Sequence, residues 1–363
     1  MIAPLALTAL AAVVVATPFP SVQRLHLMDH VRGNAAVAPA TAHLTNYGGP
    51  VIPNVQVQPI FYGAANYQAQ TNAFYAGVTQ SSWYDSMAQY GVYRGSASPG
   101  ISVSATKSAL DDVTDVQALL ISLVKAGTIV PTANTYFPIH FAPGISITQG
   151  GSGSCKVFCA YHGTIDISSL NKGTKYLFYG VMPDQGGSCA GGCGSNPSQV
   201  NNMFSVASHE LAEAVTDAAV GLATAIAAPL AWYDATNGEN GDICNAQQGT
   251  TVGGDGVSYV VQKIWSNADN ACVQGATGGQ TTTTTKKATT STTTTTTKGG
   301  VTTKATTTTT TTKGGVTTTK AAGGNTAGAP CTNYGAWACS NSLICSYGSN
   351  GLVWVQVGSV SSC

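Results

Sequence analysis

The chain has 363 residues, of which 43% are hydrophobic and only 8% are charged, and 15 basic residues balance 15 acidic ones. A neutral chain has no long-range field that would recruit nucleic acid or an anionic membrane, so proteins that bind either through a basic surface are excluded. The few charges and the 42 glycines are typical of an extracellular protein rather than a cytosolic enzyme.

The N-terminus carries an export signal. "MIAPLALTALAAVVVA" is an apolar run that ends on a small residue and is too short to span a bilayer. It predicts a signal peptide at residues 1–16, cleaved after Ala16, and a secreted or cell-wall protein. No later segment has the ~20 consecutive apolar residues of a transmembrane helix. Residues 17–45 hold few core-forming side chains and are interpreted as a loose arm or a pro-segment.

Residues 46–275 are long enough to form one unit with a buried core. Their apolar patterns predict three strands and three helices, namely strands 55–63, 135–144 and 174–184 and helices 68–89, 112–127 and 196–217. The last helix would begin with Asn196 as N-cap and Pro197 as first residue. We therefore predict an α/β fold, a mixed sheet with packed helices for which a zincin-like arrangement is one form, plus a small disulfide-rich C-terminal module.

Residues 276–328 are a low-complexity linker. "TTTTTTKGG" at 292–300 is nearly repeated at 306–315, and such a segment cannot bury enough apolar area to offset its chain entropy. Thr-rich tracts in secreted proteins are usual sites of O-glycosylation, which predicts a stalk before the C-terminal module at 329–363.

One stretch, "SHELAEAVTD" at 208–217, carries candidate chemistry. His209 and Glu213 lie one helical turn apart and can bind one ion together. Imidazole nitrogen and carboxylate oxygen are both zinc ligands. In His-Glu-x-x-His peptidases the glutamate after the first histidine is the general base, a role that Glu210 would take. Here Glu213 replaces the second histidine, and its negative charge would make metal-bound water less acidic.

A metal site on this helix needs further ligands. The run "WYDATNGENGDIC" at 232–244 offers Asp234, Glu239 and Asp242, and its glycines would let a loop wrap an ion. His162 is the other candidate. Zinc is the predicted ion. Two alternatives remain open: the loop also suits calcium without catalysis, and the helix residues would also fit the solvated face of an ordinary helix.

Four segments occur in this order: "NYGGPVIPNVQVQPIFYG", "CKVFCAYHG", "YLFYGVMPDQGGSCAGGCG" and "ASHELAEAVTD". They resemble the phosphate-induced protein 1 (Exordium-like) family over most of residues 46–275. The resemblance implies an extracellular or cell-wall protein, and no enzymatic activity is firmly attached to the family. Plant members are linked to growth signalling and lack the His-Glu pair, whereas microbial members often carry "SHELAE" together with the later Gly-Glu-x-Gly-Asp loop. The presence of both here implies one shared ion site.

Ten cysteines in a chain with an export signal predict disulfides. Cys155 and Cys159 are four residues apart, as are Cys189 and Cys193, and these pairs would alternatively bind zinc as thiolates. Six cysteines permit 15 connectivities, so only one bridge, Cys244–Cys272, is predicted individually. The remaining cysteines lie near the C-terminus, at Cys331, Cys339, Cys345 and Cys363.

The segment from Cys331 onward has too little core to fold without disulfides. It is dense in rigid aromatic side chains that can stack on sugar rings, namely Tyr334, Trp337, Tyr347 and Trp354. We expect one of the two tryptophans to form its small core instead. The segment resembles a family 19 carbohydrate-binding module, although its end lacks the usual Gly-Thr-x-Cys. The resemblance implies chitin as ligand, with cellulose or glucan as the alternative.

Three functions are compatible with these features. The first is a secreted wall protein that binds chitin and has a metal-holding, peptidase-like large domain. The second is a non-enzymatic matrix or adhesion protein whose large domain is structural or binds calcium. The third, a polysaccharide hydrolase, is weakest because no pair of opposed carboxylates is evident.

Overall fold

The structure is a computed structural model that describes residues 27–29 and 37–275 and, near the C-terminus, Ala329 and the backbones of three strands. The chain divides into two units, residues 1–277 and 278–363. Several predicted features lie outside the described residues: the signal peptide, the Thr-rich linker, Tyr334, Cys331, Cys339 and Cys363.

The first unit is a mixed α/β domain, as the sequence predicts. Its strands are β1 (Leu27–Asp29), β2 (Thr45–Asn46), β3 (Asn54–Val57), β4 (Ile60–Tyr62), β5 (Tyr93–Ala97), β6 (Ile101–Val103), β7 (Ala109–Asp111), β8 (Thr135–Phe141), β9 (Ser146–Gln149), β10 (Ser152–Gly153), β11 (Phe158–Asp166), β12 (Tyr176–Met182), β13 (Trp232–Tyr233), β14 (Gln248–Val252), β15 (Ser258–Gln262), β16 (Ile264–Ser266) and β17 (Ala271–Val273). Its α-helices are α1 (Gln68–Val78), α2 (Ser82–Asp85), α3 (Ala118–Ala126) and α4 (Gln199–Thr216).

Among the described residues, eight strands form the central sheet. β1, β11 and β12 follow one another in antiparallel pairs, and β12 then pairs in parallel with β8. β8 pairs with β3 along one half and with β4 along the other, and these two strands carry β5 and β6 at the edge. The predicted strand 55–63 is thus interrupted. Pro59 lies at the break, and it has no N–H to donate to a ladder.

Helices cover both faces of this sheet. All seven residues of β8 are buried, as expected for a parallel strand covered on both sides. α3 packs on one face through Leu120 and Val124. α4 packs on the other face, against β11 and β12, and its far side is covered by β15 of the β14–β15 hairpin. α4 is therefore an internal helix with almost no solvated face.

The start of α4 differs from the prediction. Ser198 and not Asn196 is the N-cap residue, and the helix begins at Gln199. The Asn196 side chain instead accepts the Ser198 N–H at 3.0 Å, an Asx turn before the helix. The prediction of Asn196 as N-cap is therefore wrong by two residues, because an Asx turn and an N-cap use the same residue types.

The other predicted helices are divided. Residues 68–89 form α1, then a turn, then α2 and a 3-10 turn at Ser86–Tyr90. Ser81 caps α2 by accepting the Tyr84 N–H at 3.3 Å. Residues 112–127 begin as a π-helical turn capped by Asp111 and continue as α3. The helix ends at Gly127, whose φ of 72° is the left-handed conformation that favours glycine.

Three disulfides join the described cysteines: Cys155–Cys189, Cys159–Cys193 and Cys244–Cys272. The two pairs spaced by four residues are thus bridged to each other, and their thiolates are not free to hold zinc. These bridges tie the start of β11 to the segment that leads into α4. Disulfides are typical of extracellular proteins. In the part of the chain that the structure describes, no helix is long and apolar enough to cross a membrane.

Parts of the N-terminal segment 17–45 pack onto the domain. β1 pairs with the sheet at β11, and Met28 is buried beside Cys159 and Cys189. Leu44 is fully buried, and the next strand, β2, pairs with β13. These contacts show that the folded unit includes residues that precede residue 46 in the chain.

The second unit contains a three-stranded antiparallel sheet among its described residues. Its strands are β18 (Trp337–Ala338), β19 (Leu343–Gly348) and β20 (Gly351–Gln356). Trp337 is opposite Ile344, whereas Trp354 is opposite Cys345. Because neighbouring strand positions alternate between faces, positions 337 and 354 fall on opposite faces of this sheet.

Candidate metal centre

The ligand-bearing face of α4 is buried. His209, Glu210 and Glu213 are each 0% exposed, because the central sheet and the β14–β15 hairpin enclose the helix. The alternative that these residues form a solvated helix face is therefore wrong. A polar side chain in such a position is costly unless a hydrogen bond or an ion satisfies it.

The loop after β13 folds over this helix face. The Asp242 N–H donates to Glu213 Oε1 at 2.9 Å, and the Glu239 N–H donates to Asp242 Oδ2 at 3.1 Å. Gly241 permits the close approach, since a Cβ atom there would lie 2.7 Å from Glu213 Oε1 and 2.9 Å from His209 Nδ1. The Cys244–Cys272 disulfide then closes the end of the loop.

One group of ligand atoms surrounds His162, which β11 presents. Its Nε2 lies 3.2 Å from both carboxylate oxygens of Glu239 and 3.9 Å from Glu213 Oε2. All three side chains are buried. His162, an alternative ligand in the sequence, thus lies within reach of an ion held by Glu213 and Glu239.

A second group surrounds His209. Its Nε2 lies 3.1 Å from Glu213 Oε1 and 3.8 Å from Asp242 Oδ1. Nevertheless, neither ring nitrogen of His209 makes a hydrogen bond. Two ligand atoms that bind one tetrahedral zinc ion at 2.0–2.1 Å lie about 3.3 Å apart and form no hydrogen bond with each other. The 3.1 Å between His209 Nε2 and Glu213 Oε1 is close to this separation. The four predicted metal ligands therefore converge, and the loop supplies two of them.

The centre is strongly acidic for a buried site. Burial, and then the nearby charge of Glu213, raise the pKa values of Glu210, Glu239 and Asp242 well above the ordinary range of carboxyl groups. Burial also raises the pKa of Asp217, one turn beyond Glu213. Among the described residues, no Lys or Arg forms an ion pair with these carboxylates. A divalent cation would supply the missing positive charge.

Glu210 follows His209 in the helix but belongs to neither group of ligand atoms. Both of its carboxylate oxygens are buried without a hydrogen-bond partner. Burial raises the pKa of Tyr75, and the nearby charge of Glu210 raises it further. Burial, and then the neighbouring Tyr75 and Glu210, raise the pKa of Tyr136. The Tyr75 hydroxyl lies 3.1 Å from His140 Nε2. The predicted base therefore adjoins a second buried polar group of aromatic and imidazole side chains.

The sequence analysis was incomplete for two acidic residues near the centre, Asp234 and Asp217. Asp234, a candidate ligand, accepts the backbone N–H groups of His43, Thr236 and Asn237 at 2.7–2.9 Å and shapes the loop instead. Asp217 was missed. Its position four residues after Glu213, on the face shared with His209, is the signal that could have identified it.

The residues present fit a metal ion. Two imidazoles and three carboxylates converge, several of their polar atoms have no hydrogen-bond partner, and the site has a deficit of positive charge. The ligand atoms that would hold metal form two groups, His162 with Glu213 and Glu239, and His209 with Glu213 and Asp242. Nitrogen ligands favour zinc over calcium, which binds oxygen.

The centre is closed to solvent apart from Asp242, whose side chain is 18% exposed. A surface cavity of about 260 Å³ lies near Ile145 and Lys156, and a second of about 700 Å³ lies near Thr250 and Lys263. Neither is lined by a residue of the centre. Within the described part of the chain, the arrangement can thus hold an ion, while four of its five ligand side chains are buried away from any peptide at the surface.

Comparison with family models, with curated proteins and with solved structures finds no match to this chain.

Proposed function

We propose that the large domain is a metal-binding domain of a secreted protein and that its ion is structural. The observation that carries this proposal is the complete burial of His162, His209, Glu213 and Glu239. Structural metal sites are closed by protein ligands, whereas catalytic sites keep one position open to water or substrate. An ion here would join β11, α4 and the 232–244 loop, which otherwise leave buried carboxylates without positive charge.

Zinc is the ion that the ligand set favours. Mixed imidazole and carboxylate ligands suit zinc and other first-row transition metals, whereas calcium takes six to eight oxygen ligands. Calcium remains the alternative ion, and an elemental measurement distinguishes the two.

We expect the secreted full-length protein to contain zinc, and Glu213→Ala, which lacks the ligand common to both groups, to retain less than about a tenth of it. Glu210→Gln should retain the metal, since Glu210 belongs to neither group of ligand atoms. Elemental mass spectrometry on purified protein of known concentration measures this. Asp166→Asn, at the exposed end of the strand that carries His162, is the matched control and should be unchanged. Metal-free wild-type protein after zinc supplementation would contradict the proposal.

Metal-dependent peptide hydrolysis is the second candidate, and Glu210 is the observation that favours it. Zinc when bound would acidify a water molecule. The Glu210 carboxyl, buried and without a partner, would hold the proton. Because His162, His209, Glu213 and Glu239 are buried, activity would require the loop or β1 to move away. Hydrolysis that is lost in Glu210→Gln while metal content persists would support this candidate over the structural one.

We further propose that the chain is related to the phosphate-induced protein 1 family and that its C-terminal unit binds chitin. The motifs in residues 46–217 and the Cys- and aromatic-rich C-terminal segment support these assignments. The strand register adds that positions 347 and 354 share one face of the small sheet, since Tyr347 is opposite Leu352. These two positions are the candidates for a sugar-stacking surface.

We expect the full-length protein to be retained on chitin beads and the double variant Tyr347→Ala/Trp354→Ala to bind at least roughly tenfold more weakly, since each lost aromatic contact costs about 1 kcal/mol. A depletion isotherm measures the dissociation constant. Cellulose and β-glucan beads in parallel identify the preferred polymer. Equal retention of the double variant and the wild-type protein would contradict this placement of the surface.

A further inference from the structure

We propose that the centre holds two divalent metal ions bridged by the carboxylate of Glu213. This inference rests on the proposed metal-binding function and extends it. The first ion would bind His162, Glu239 and Glu213. The second would bind His209, Asp242 and Glu213.

The geometry divides the ligands into two groups. In each group of three residues, the ligand atoms lie within 4.8 Å of one another. Glu213 belongs to both groups and presents a different oxygen to each: Oε2 lies 3.9 Å from His162 Nε2, and Oε1 lies 3.1 Å from His209 Nε2. A carboxylate whose two oxygens face two separate imidazoles is placed to bridge two ions.

A single ion does not account for both histidines. Ligand atoms of one zinc ion lie at most about 4.2 Å apart, which is twice the usual metal–nitrogen distance. Within the described part of the chain, His162 and His209 do not fall into one group of mutually close ligands, even with a limit of 4.8 Å. One ion bound at His162 would therefore leave both buried ring nitrogens of His209 without a hydrogen-bond partner, and one ion bound at His209 would leave His162 and Glu239 paired with each other but without a metal.

Charge gives an independent argument. Four carboxylates around the two imidazoles are 0% exposed, namely Glu210, Glu213, Asp217 and Glu239, and Asp242 beside them is 18% exposed. One divalent ion would neutralise two of these five formal charges. Two divalent ions with neutral histidines would neutralise four of them, and an uncompensated buried charge is strongly unfavourable.

The ligands also indicate the class of metal. Each position offers one imidazole nitrogen and carboxylate oxygens, a set that suits zinc, manganese or iron. Paired ions of this kind lie about 3.5–4 Å apart, a separation that one carboxylate can span. The proposed pair is thus a carboxylate-bridged dinuclear centre, buried between β11 and α4.

The stoichiometry of the full-length wild-type protein is the first test. After dialysis against zinc and then against buffer, elemental mass spectrometry should find about two zinc ions per chain. One ion per chain would overturn the two-ion proposal and leave the metal-binding function intact. No bound metal would overturn both.

Variants then assign the positions. Glu239→Gln removes a ligand of the first ion alone and Asp242→Asn a ligand of the second alone, so each should retain about one ion. Glu213→Gln should lose most of both, and Asp166→Asn should keep two. Loss of all metal in both Glu239→Gln and Asp242→Asn would overturn the assignment, because it would show a single shared site.

Manganese provides a readout that requires no variant. The wild-type protein loaded with Mn²⁺ should give the broadened electron paramagnetic resonance spectrum of a spin-coupled pair at low temperature. Two ions that give the six-line spectrum of isolated Mn²⁺ would overturn the bridge by Glu213.

Discussion

Removal of the metal is expected to lower the free energy of unfolding of the full-length protein by at least about 4 kcal/mol at neutral pH. A ligand that binds only the folded state at a thousandfold excess over its dissociation constant stabilises that state by this amount. The physical reason is the acidic centre: without a cation, Glu213, Glu239 and Asp242 repel one another in a site that excludes water. Urea unfolding, followed by tryptophan fluorescence before and after chelation, measures the difference.

The loss of stability on metal removal should grow as the pH rises. In the metal-free protein, burial and then the charge of Glu213 raise the folded-state pKa values of Glu210, Glu239 and Asp242 above 4.5 and 3.8, the ordinary values for Glu and Asp. Stability from such groups is fully present below those ordinary values and is lost as pH rises through the folded-state values. Metal binding needs deprotonated ligands and strengthens over the same range.

The metal-dependent difference in stability should therefore widen from pH 5 to pH 8. Glu213→Gln, which lacks the shared ligand, serves as the control and should respond little to chelator at either pH. A wild-type protein that loses its metal on chelation and unfolds at the same urea concentration would contradict a structural role for the ion.

The paired disulfides should show the second large effect, a loss of stability that is greater than additive. Each bridge joins cysteines 34 residues apart, and the chain-entropy model gives about 4 kcal/mol for closing such a loop. When one bridge is already formed, the second bridge closes a much shorter loop, which runs along residues 155–159 and 189–193 and across the first bridge. It therefore adds only about 2.5 kcal/mol. Removing either should thus cost about 2.5 kcal/mol and removing both about 6.5 kcal/mol.

Three variants measure this: Cys155→Ala/Cys189→Ala, Cys159→Ala/Cys193→Ala and the quadruple variant. Urea unfolding without reductant, at fixed free zinc, gives the three differences. Because both cysteines of the Cys159–Cys193 bridge are buried, whereas Cys155 of the other bridge is only partly buried, the Cys159/Cys193 variant should cost somewhat more than the Cys155/Cys189 variant. Costs that simply add would show that the two bridges constrain the unfolded chain independently.

The sequence predicted the main elements of the fold because their signals are local. The apolar spacing of α3, the buried run of β8 and the helix around His209 are each readable within about 20 residues. The errors were also local ones. The Asx turn at Asn196 was interpreted as a helix cap, and the break at Pro59 was not anticipated within an otherwise continuous strand.

The candidate site was predicted only in part. Helical periodicity was enough to place His209 and Glu213 on one face, and the clustering of acidic residues pointed to Glu239 and Asp242. The partner of Glu239 was left as an alternative because His162 lies 77 residues away in the chain. The pairing of β11 with the sheet, and not any short motif, brings this imidazole to the loop.

By itself the sequence determined which residues could bind a metal, because ligand chemistry and the i, i+4 spacing of a helix are local properties. It also predicted an export signal, and it determined a cysteine content that suits disulfides. Only the tertiary structure decided that α4 is internal, that the cysteine pairs are bridged to each other and that the ligands form two groups around Glu213. These features depend on contacts between distant segments, and a polar helix face has the same spacing whether water or a buried ion satisfies it.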